Sequence, residues 1–246
     1  MRVLYRLLYP LALLVAGPWL LATRGRHYLG TLRGRFTLER PGPLDRPLWI
    51  HAVSVGESMV AATLARALPD DLPLLVTTIT PTGQRRARSL LDDRATIAYL
   101  PLDLGVTVRR FLARTRPRGL VLVEGDYWPR LLEECRRREI PVVAVNARIG
   151  DRTFARLRRA RSVARWLLGP VQRFGAQSDQ DRRRLEALGV DPRTIRLTGN
   201  LKYEAPLPPR REELELLLRE LAGARPLLVA GSTMEGEEEK VLAAFD

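Results

Sequence analysis

The feature that most limits how this chain can fold is an alternation of short apolar runs with helical patterns between residues 49 and 200. Continuous apolar runs indicate strands that are buried on both faces, and strands that alternate with helices indicate a parallel sheet. The sequence therefore predicts an α/β domain with helices on both faces of the sheet. We place its strands at 49–55, 74–78, 97–100, 119–123, 141–145, 174–176 and 195–197.

Polar side chains follow three of these runs. Glu57 comes after the first run, Glu124 ends the fourth, and Asn146 and Arg148 follow the fifth. Ligands of open parallel sheets lie at the carboxyl ends of the strands, so we expect these groups to converge on one crevice. Glu57 precedes a helical pattern at 58–68, whose dipole would keep it ionised and fit to act as a general base. A helix cap for Glu57 and an ion pair for Glu124 are the alternatives.

Three turns are candidate anion sites because backbone N–H groups and cationic side chains occur together in or beside them. They are 80–83 with Arg85 and Arg86, 199–202, and 231–233. Each is equally compatible with an ordinary turn. The sequence contains neither a Walker motif nor G-x-G-x-x-G, which argues against ATP and nicotinamide cofactors. One cysteine and two widely separated histidines give no zinc-type cluster.

The N-terminus carries an uncharged apolar stretch at 7–22, followed by arginines at 24, 26, 33 and 35. Pro10, Gly17 and Pro18 weaken a continuous helix there, and a full span needs about 20 apolar residues. We interpret residues 1–38 as an uncleaved anchor with a basic flank, which spans or lies in the membrane with the domain on the cytoplasmic side. A cleaved signal peptide and a buried core helix are the alternatives.

The net charge of +13 arises almost entirely from arginine, because lysine occurs only at Lys202 and Lys240. Such a charge favours phosphorylated substrates, anionic lipid or nucleic acid, although a general arginine bias would also produce it. A basic amphipathic helix is predicted at 154–168. The arginines are spread over many helices and aromatic residues make up only 6%, which gives no stacking platform, so we expect no nucleic-acid partner.

Proline-rich segments divide the chain. We interpret 39–48 as a linker, 49–205 as the main domain, and 206–225 as a second linker with a helix. A strand is predicted at 227–230, so 226–246 would begin a second α/β domain. One strand and one helix cannot cover a parallel sheet, and the sequence therefore predicts a fragment of a longer protein.

Seven segments stand in the order and spacing of one protein family. They are WIHAVSVGE, TTITPTGQRR, YLPLDL, E…YWP at 124–129, VNAR, GNLKY and AGSTMEGEE. In these motifs the chain resembles the N-terminal portion of the 3-deoxy-D-manno-octulosonic acid (Kdo) transferases of lipopolysaccharide synthesis. The resemblance implies a GT-B-type glycosyltransferase, with a Rossmann-like N-terminal domain and only the start of a second Rossmann-like domain.

The resemblance also implies the reaction and its location. Kdo would pass from CMP-Kdo to the lipid A precursor lipid IVA, with inversion and with no bound metal or other cofactor. The enzyme would lie on the cytoplasmic face of the cell inner membrane, among anionic lipids. The alternatives are another GT-B sugar-nucleotide transferase, and a basic module that binds anionic lipid or nucleic acid.

Residue by residue, the resemblance makes Glu57 the general base. The other positions that match the family's motifs are expected to bind substrate: Arg86, Glu124, Arg148, Lys202, Ser232, Thr233 and Glu237. The chain departs from the family at Asp126 (usually Glu), Arg130 (usually Asn) and Met234 (usually His). Because the family's later motifs are absent, we expect the chain alone not to transfer Kdo.

Overall fold

The computed structural model of the chain contains the predicted parallel sheet, with seven strands. It describes residues 2–24, 26–39, 41–42, 44–204 and 211–245. The strands are β1 (Leu48–His51), β2 (Leu74–Thr78), β3 (Thr96–Tyr99), β4 (Gly119–Val123), β5 (Val142–Ala147), β6 (Arg173–Ala176) and β7 (Ile195–Leu197).

All strand pairs are parallel, and the strand order is β3-β2-β1-β4-β5-β6-β7. From β1 the chain first winds outward to β3, and it then crosses to the other side of β1 to form β4. This is the order of a Rossmann-like doubly wound sheet, whose switch point lies between β1 and β4. The predicted fold class is confirmed for this domain.

The described residues form twelve α-helices, and those between residues 55 and 187 connect the strands and cover the sheet. The twelve helices are α1 (Arg2–Arg24), α2 (Arg26–Leu29), α3 (Leu32–Arg35), α4 (Val55–Arg66), α5 (Pro81–Leu91), α6 (Gly105–Thr115), α7 (Pro129–Arg137), α8 (Asp151–Arg159), α9 (Arg161–Leu168), α10 (Asp179–Ala187), α11 (Glu212–Ala222) and α12 (Glu237–Phe245). Short 3₁₀ turns occupy Pro192–Thr194 and Leu201–Glu204.

Alternate residues along the central strands β1, β2, β4 and β5 face two separate cores. Trp49 and Leu75 face the helices from α6 to α10, whereas Ile50 and Val76 face α4 and α5. Trp49 is fully buried, and its indole N–H donates to the Thr77 hydroxyl at 2.8 Å. Because both faces are covered, the apolar runs of the strands are continuous, as a parallel sheet requires.

Several element ends shift by a few residues, and two of the expected elements differ more than that. The apolar run at 49–55 is not one strand, because β1 ends at His51 and α4 already begins at Val55. Ser54 caps that helix, and the capping hydrogen bond outweighs the strand preference of the flanking valines. The helix expected at 154–168 is two helices, interrupted at Ala160, whose φ of −120° and ψ of 62° are not helical.

Helix α1 runs through both Pro10 and Pro18 without a break, contrary to the expected weakening. Its first turns pack near the carboxyl edge of the sheet. The Tyr5 hydroxyl donates to Asp103 at 2.8 Å, and Arg6 donates to both oxygens of Glu133 at 2.8 and 3.0 Å. None of the helices within the described residues is both long and apolar enough to cross a bilayer.

The chain divides into two units, Met1–Ala205 and Pro206–Asp246. The second unit contains α11 and α12, and the proline-rich boundary at 206–209 lies outside the described residues. The strand expected at 227–230 is wrong, since this segment has no regular structure and Leu227, Leu228 and Val229 are exposed. A parallel strand needs a neighbour to accept its hydrogen bonds, and among the described residues this segment has none.

Candidate active site

Glu57 lies in the first turn of α4, just beyond the carboxyl end of β1. Its Oε2 accepts the Val53 backbone N–H at 2.8 Å, and its Oε1 accepts the Ser54 hydroxyl at 3.0 Å. The Ser54 hydroxyl oxygen in turn accepts the Glu57 N–H at 3.4 Å. This reciprocal arrangement is a variant of the capping box. Glu57 is therefore a helix cap, as one alternative held, and it is held in one orientation.

The environment of Glu57 also changes its acidity. Burial raises the pKa of Glu57 above its ordinary value, and the hydrogen bonds from Val53 and Ser54 offset part of the rise. The charges of Asp126 and Glu124 raise this pKa further. A carboxylate whose pKa moves towards neutrality is a stronger base.

Glu124 occupies the other side of the switch point, directly after β4. Its backbone adopts a φ of +64°, a left-handed conformation that is uncommon for glutamate. Its Oε1 lies 2.6 Å from the Lys202 Nζ and accepts a long hydrogen bond of 3.5 Å from the Asn146 amide. The ion pair expected as the alternative for Glu124 exists, but its partner is a lysine.

Asn146 joins the site to the turn at Leu201–Glu204. Its side chain is completely buried at the end of β5, and its φ is +52°. Its Oδ1 accepts the Leu201 N–H at 3.0 Å while its amide faces Glu124. One side chain thus fixes the turn that carries Lys202 relative to the acid at the end of β4.

Lys202 extends over the start of α4. A Cβ placed on Gly56 would lie 3.7 Å from both the Lys202 Cε and Nζ. The ammonium therefore lies beside the residue that precedes Glu57 while it pairs with Glu124. The structure brings Glu57, Glu124, Asn146 and Lys202 together at the carboxyl ends of β1, β4 and β5, as the sequence predicts for the three strand ends.

Asp126 adds a third acid to this cluster. It is half-buried in the loop between β4 and α7, and burial, followed by the charge of Glu124, raises its pKa above the ordinary value. Three carboxyl groups and one ammonium thus follow the carboxyl ends of β1, β4 and β5, and the charges of Glu124 and Asp126 repel each other. Such clusters of perturbed carboxyl groups are typical of functional sites.

The two arginines predicted to bind substrate are placed differently. Arg148 follows β5 with an exposed side chain, and its backbone N–H donates to the Glu124 carbonyl oxygen at 3.1 Å. Arg86 is exposed on α5. This backbone hydrogen bond holds Arg148 next to Glu124. Glu57, Glu124 and Asp126 form what we call the acid cluster. Arg86 lies on α5 instead.

The turn at 80–83 holds the start of α5 against the loop at 52–54, which precedes α4 and Glu57. Thr80 caps α5, accepts the Gly83 N–H at 3.0 Å and donates to the Val53 carbonyl oxygen at 3.2 Å. A Cβ on Gly83 would come within 2.8 Å of the Thr80 Oγ1 and 2.9 Å of the Val53 oxygen. Glycine is therefore required here by the close approach of two loops. The Gly83 N–H is used by Thr80, so this group is not free to hold an anion.

Two further acids, Asp103 and Asp181, have positioning roles that sequence reasoning missed. Asp103 lies in the loop between β3 and α6. It accepts the backbone N–H groups of Arg130 and Leu131 at 2.8 and 2.7 Å and thereby caps α7. Asp181 accepts the Ile149 N–H at 2.8 Å next to Arg148. The Ser178-x-x-Asp181 spacing of a capping box was a signal for Asp181, whereas no local pattern marks Asp103.

The residues expected on the donor side belong to the second unit. Thr233 donates to Glu238 at 2.6 Å, and Glu237 accepts the Met234 N–H at 2.9 Å in the first turn of α12. Ser232 is exposed and has a φ of +59°. Within this unit the three predicted residues, Ser232, Thr233 and Glu237, thus surround the beginning of one helix.

A solved structure with a similar fold is a protein described as a UDP-N-acetylglucosamine 2-epimerase from Listeria monocytogenes. It matches 71% of this chain and 52% of its own length, with a TM-score of 0.52 and 15% identity. At this identity the similarity shows the fold alone. It agrees with the Rossmann-like N-terminal domain of a GT-B-type protein.

Sequence comparison identifies closer relatives. A 3-deoxy-D-manno-octulosonic acid transferase from Haemophilus influenzae is 32% identical over 254 positions, covering 97% of this chain and 59% of the relative. One from Bordetella pertussis is 35% identical over 221 positions, covering 86% and 50%. The chain thus spans between one half and three fifths of the length of these relatives.

The family model for the 3-deoxy-D-manno-octulosonic-acid transferase N-terminal region matches residues 30–205, which include the whole seven-stranded sheet and the acid cluster. The motifs, the strand order and these matches agree, and this chain belongs to the Kdo transferase family.

Proposed function

We propose that this chain forms the acceptor-side part of a glycosyltransferase that moves Kdo from CMP-Kdo to the lipid A precursor lipid IVA. The position of Glu57 carries the proposal. Its carboxyl group is oriented by two hydrogen bonds at the switch point of a doubly wound sheet, where ligands of such folds bind. No other acid of the cluster is held by a helix cap in this way among the residues that the structure describes.

In the proposed reaction Glu57 acts as the general base. It removes the proton from an acceptor hydroxyl while the oxygen attacks the anomeric carbon of Kdo and the bond from that carbon to CMP breaks. Attack from the face opposite to CMP inverts the anomeric centre. The raised pKa of Glu57 supports this role, because a base accepts a proton more readily as its pKa approaches the working pH.

The surrounding groups would bind the substrates. Lys202 lies beside Glu124, and the exposed Arg148, which has no carboxylate within 4.0 Å among the described residues, carries the charge that an anionic acceptor needs. Arg86 would contribute from α5. We propose that Glu124 orients Lys202 through their ion pair, which keeps the ammonium close to Glu57. Ser232, Thr233 and Glu237 would begin the site for CMP-Kdo.

We further propose that the protein works at the cytoplasmic face of the inner membrane, with α1 lying in the interface. An interfacial helix needs one apolar face and flanking basic residues. By sequence, Arg24, Arg26 and Arg33 supply the basic flank, whereas Arg35 is half-buried and donates to the Ile79 carbonyl oxygen. The exposed apolar side chains on α1 are Val3, Leu4, Leu7, Leu8, Leu11, Leu14, Val15 and Trp19.

The experiment for the substrates is a transfer assay with the chain joined to a donor-side domain. CMP-Kdo and lipid IVA should give lipid IVA that carries Kdo, detected by mass spectrometry, and omission of either substrate should give none. Met234 stands where the family usually has histidine, which supports a test of other donors. Transfer from another nucleotide sugar, with none from CMP-Kdo, would favour the alternative of a different GT-B transferase.

A further inference from the structure

We propose that a cavity between α1, α7 and α9 binds the phosphate group of an anionic phospholipid. We call it the cationic cavity. It has a volume of about 190 Å³, below the usual range for whole drug-sized or cofactor ligands and suited to a single phosphate group. Its main lining residues are Arg2, Pro129, Glu133, Arg136, Arg165 and Trp166.

The charge of the cavity comes from three separate helices. Arg2 lies on α1, Arg136 on α7 and Arg165 on α9. Within the described part of the chain, none of these three guanidinium groups has a carboxylate within 4.0 Å. Like charges that converge without counter-charges repel one another, so an anion placed among them would relieve that repulsion.

The one acid in the lining does not neutralise these arginines. Glu133 accepts hydrogen bonds from Arg6 at 2.8 Å and from Arg130 at 2.7 Å. Burial alone would raise the pKa of Glu133, but these two partners lower it below its ordinary value. Glu133 is therefore ionised and already paired, which leaves the cationic cavity with a positive balance.

The wall of the cavity is fixed by aromatic packing. The Trp166 ring contacts Tyr5 edge-on, with centroids 5.5 Å apart and an interplanar angle of 75°. Tyr5 is itself held by its hydrogen bond to Asp103. Tryptophan beside cationic side chains is typical of the headgroup level of a membrane, because the ring has an apolar body and a polar N–H.

The cavity lies beside α1, and this position favours a membrane lipid over free phosphate as its ligand. Arg2 begins the same helix that exposes Val3, Leu4 and Leu7, each more than half exposed. If that apolar face lies in the acyl boundary, the cavity lies at the depth of lipid phosphates. This inference rests on the proposed membrane location, but it does not need the sugar transfer, and its test uses none.

The test measures partitioning of the full chain onto vesicles by sedimentation. One vesicle is phosphatidylcholine, and the other contains roughly one-third phosphatidylglycerol. The cavity variant is Arg136→Gln with Arg165→Gln. The control variant is Arg66→Gln with Arg88→Gln, which has the same charge change on α4 and α5, across the sheet from α7 and α9.

We expect about 30-fold weaker partitioning of the cavity variant onto phosphatidylglycerol vesicles, as for two cationic side chains removed from an anionic surface. The control should change less than about threefold. Both arginine pairs are exposed, and unchanged melting temperatures would show that all variants fold.

Equal losses in both variants would assign binding to diffuse charge and overturn the proposal, as would no loss in either. Saturable stabilisation of the wild type by inorganic phosphate, with no difference between the two vesicles, would identify free phosphate as the ligand. That result would overturn the assignment to lipid. Loss of sugar transfer with normal partitioning would count against the proposed function alone.

Discussion

Glu57 combines a capping role with a proposed catalytic role at the scale of one residue. Its carboxyl group completes the cap of α4 through Val53 and Ser54, and the same bonds hold it just beyond the carboxyl end of β1. The cap and the base are usually considered as competing explanations for such an acid. Here the capping geometry prepares the catalytic orientation, because a side chain fixed by two bonds loses little freedom when substrate arrives.

Stability measurements on two single variants test the capping role separately from the proposed catalytic role. Glu57→Gln keeps an oxygen that accepts the Val53 N–H, so we expect a free energy of unfolding within about 0.5 kcal/mol of the wild type. Glu57→Ala removes the carboxyl group that completes the cap, while Ser54 remains, and it should cost about 1 kcal/mol. Urea unfolding of the chain measures both. No loss in Glu57→Ala would show that the carboxyl group contributes nothing to the cap, and an equal loss of about 1 kcal/mol in both variants would show that the amide does not replace it.

Sequence reasoning reached the candidate site only in part. The positions of Glu57, Glu124 and Asn146 follow from the rule that parallel strands end at one edge, and the three do meet there. The left-handed backbone of Glu124 and the cap that Asp103 gives α7 depend on contacts between distant segments. No local pattern encodes such contacts, so these features required the structure.

Elements were predicted best where a continuous apolar run is bounded by strong breakers. The strands at 74–78 and 119–123 have the expected bounds. Pro73 precedes the first of them, and Gly119 begins the second. The strand predicted at 49–55 is too long, because Ser54 caps a helix that begins at Val55. The segment 227–230 has the composition of a strand, but composition alone supplies no neighbouring strand.

The docking of α1 onto α7 gives a pH-dependent prediction. The pKa of Glu133 is lowered in the folded protein, so its stabilisation is present above its ordinary pKa and is lost as the pH falls through the lower folded value. Wild type and Glu133→Gln should therefore differ in unfolding free energy at pH 7. The difference should shrink as the pH falls below roughly 4.

The control for this prediction is Glu204→Gln, at an exposed glutamate in the same unit. Denaturant unfolding at a series of pH values gives both curves. A difference between wild type and Glu133→Gln that stays constant with pH would mean that the Arg6 and Arg130 contacts do not stabilise the ionised form.

At the scale of the whole first unit, one edge of the sheet carries both the proposed acceptor-side site and the contacts that hold α1. The acid cluster follows β1, β4 and β5, while Asp103 and α7 fasten the start of α1 near the same edge. A helix that lies in the interface would therefore bring the crevice close to the membrane surface. This arrangement suits an acceptor whose acyl chains remain in the bilayer while its sugar hydroxyl reaches Glu57.

The most direct test of this account is Kdo transfer by Glu57→Gln in a protein that carries both the acceptor-side and the donor-side domain. Turnover should fall on the order of 10²–10⁴-fold, the usual effect of losing a general base, with folding unchanged. As the pH is lowered, the wild-type rate should fall when Glu57 becomes protonated. Because the pKa of Glu57 is raised, this fall should occur at a pH above the ordinary pKa of glutamate. Turnover by Glu57→Gln equal to that of the wild type would contradict the account.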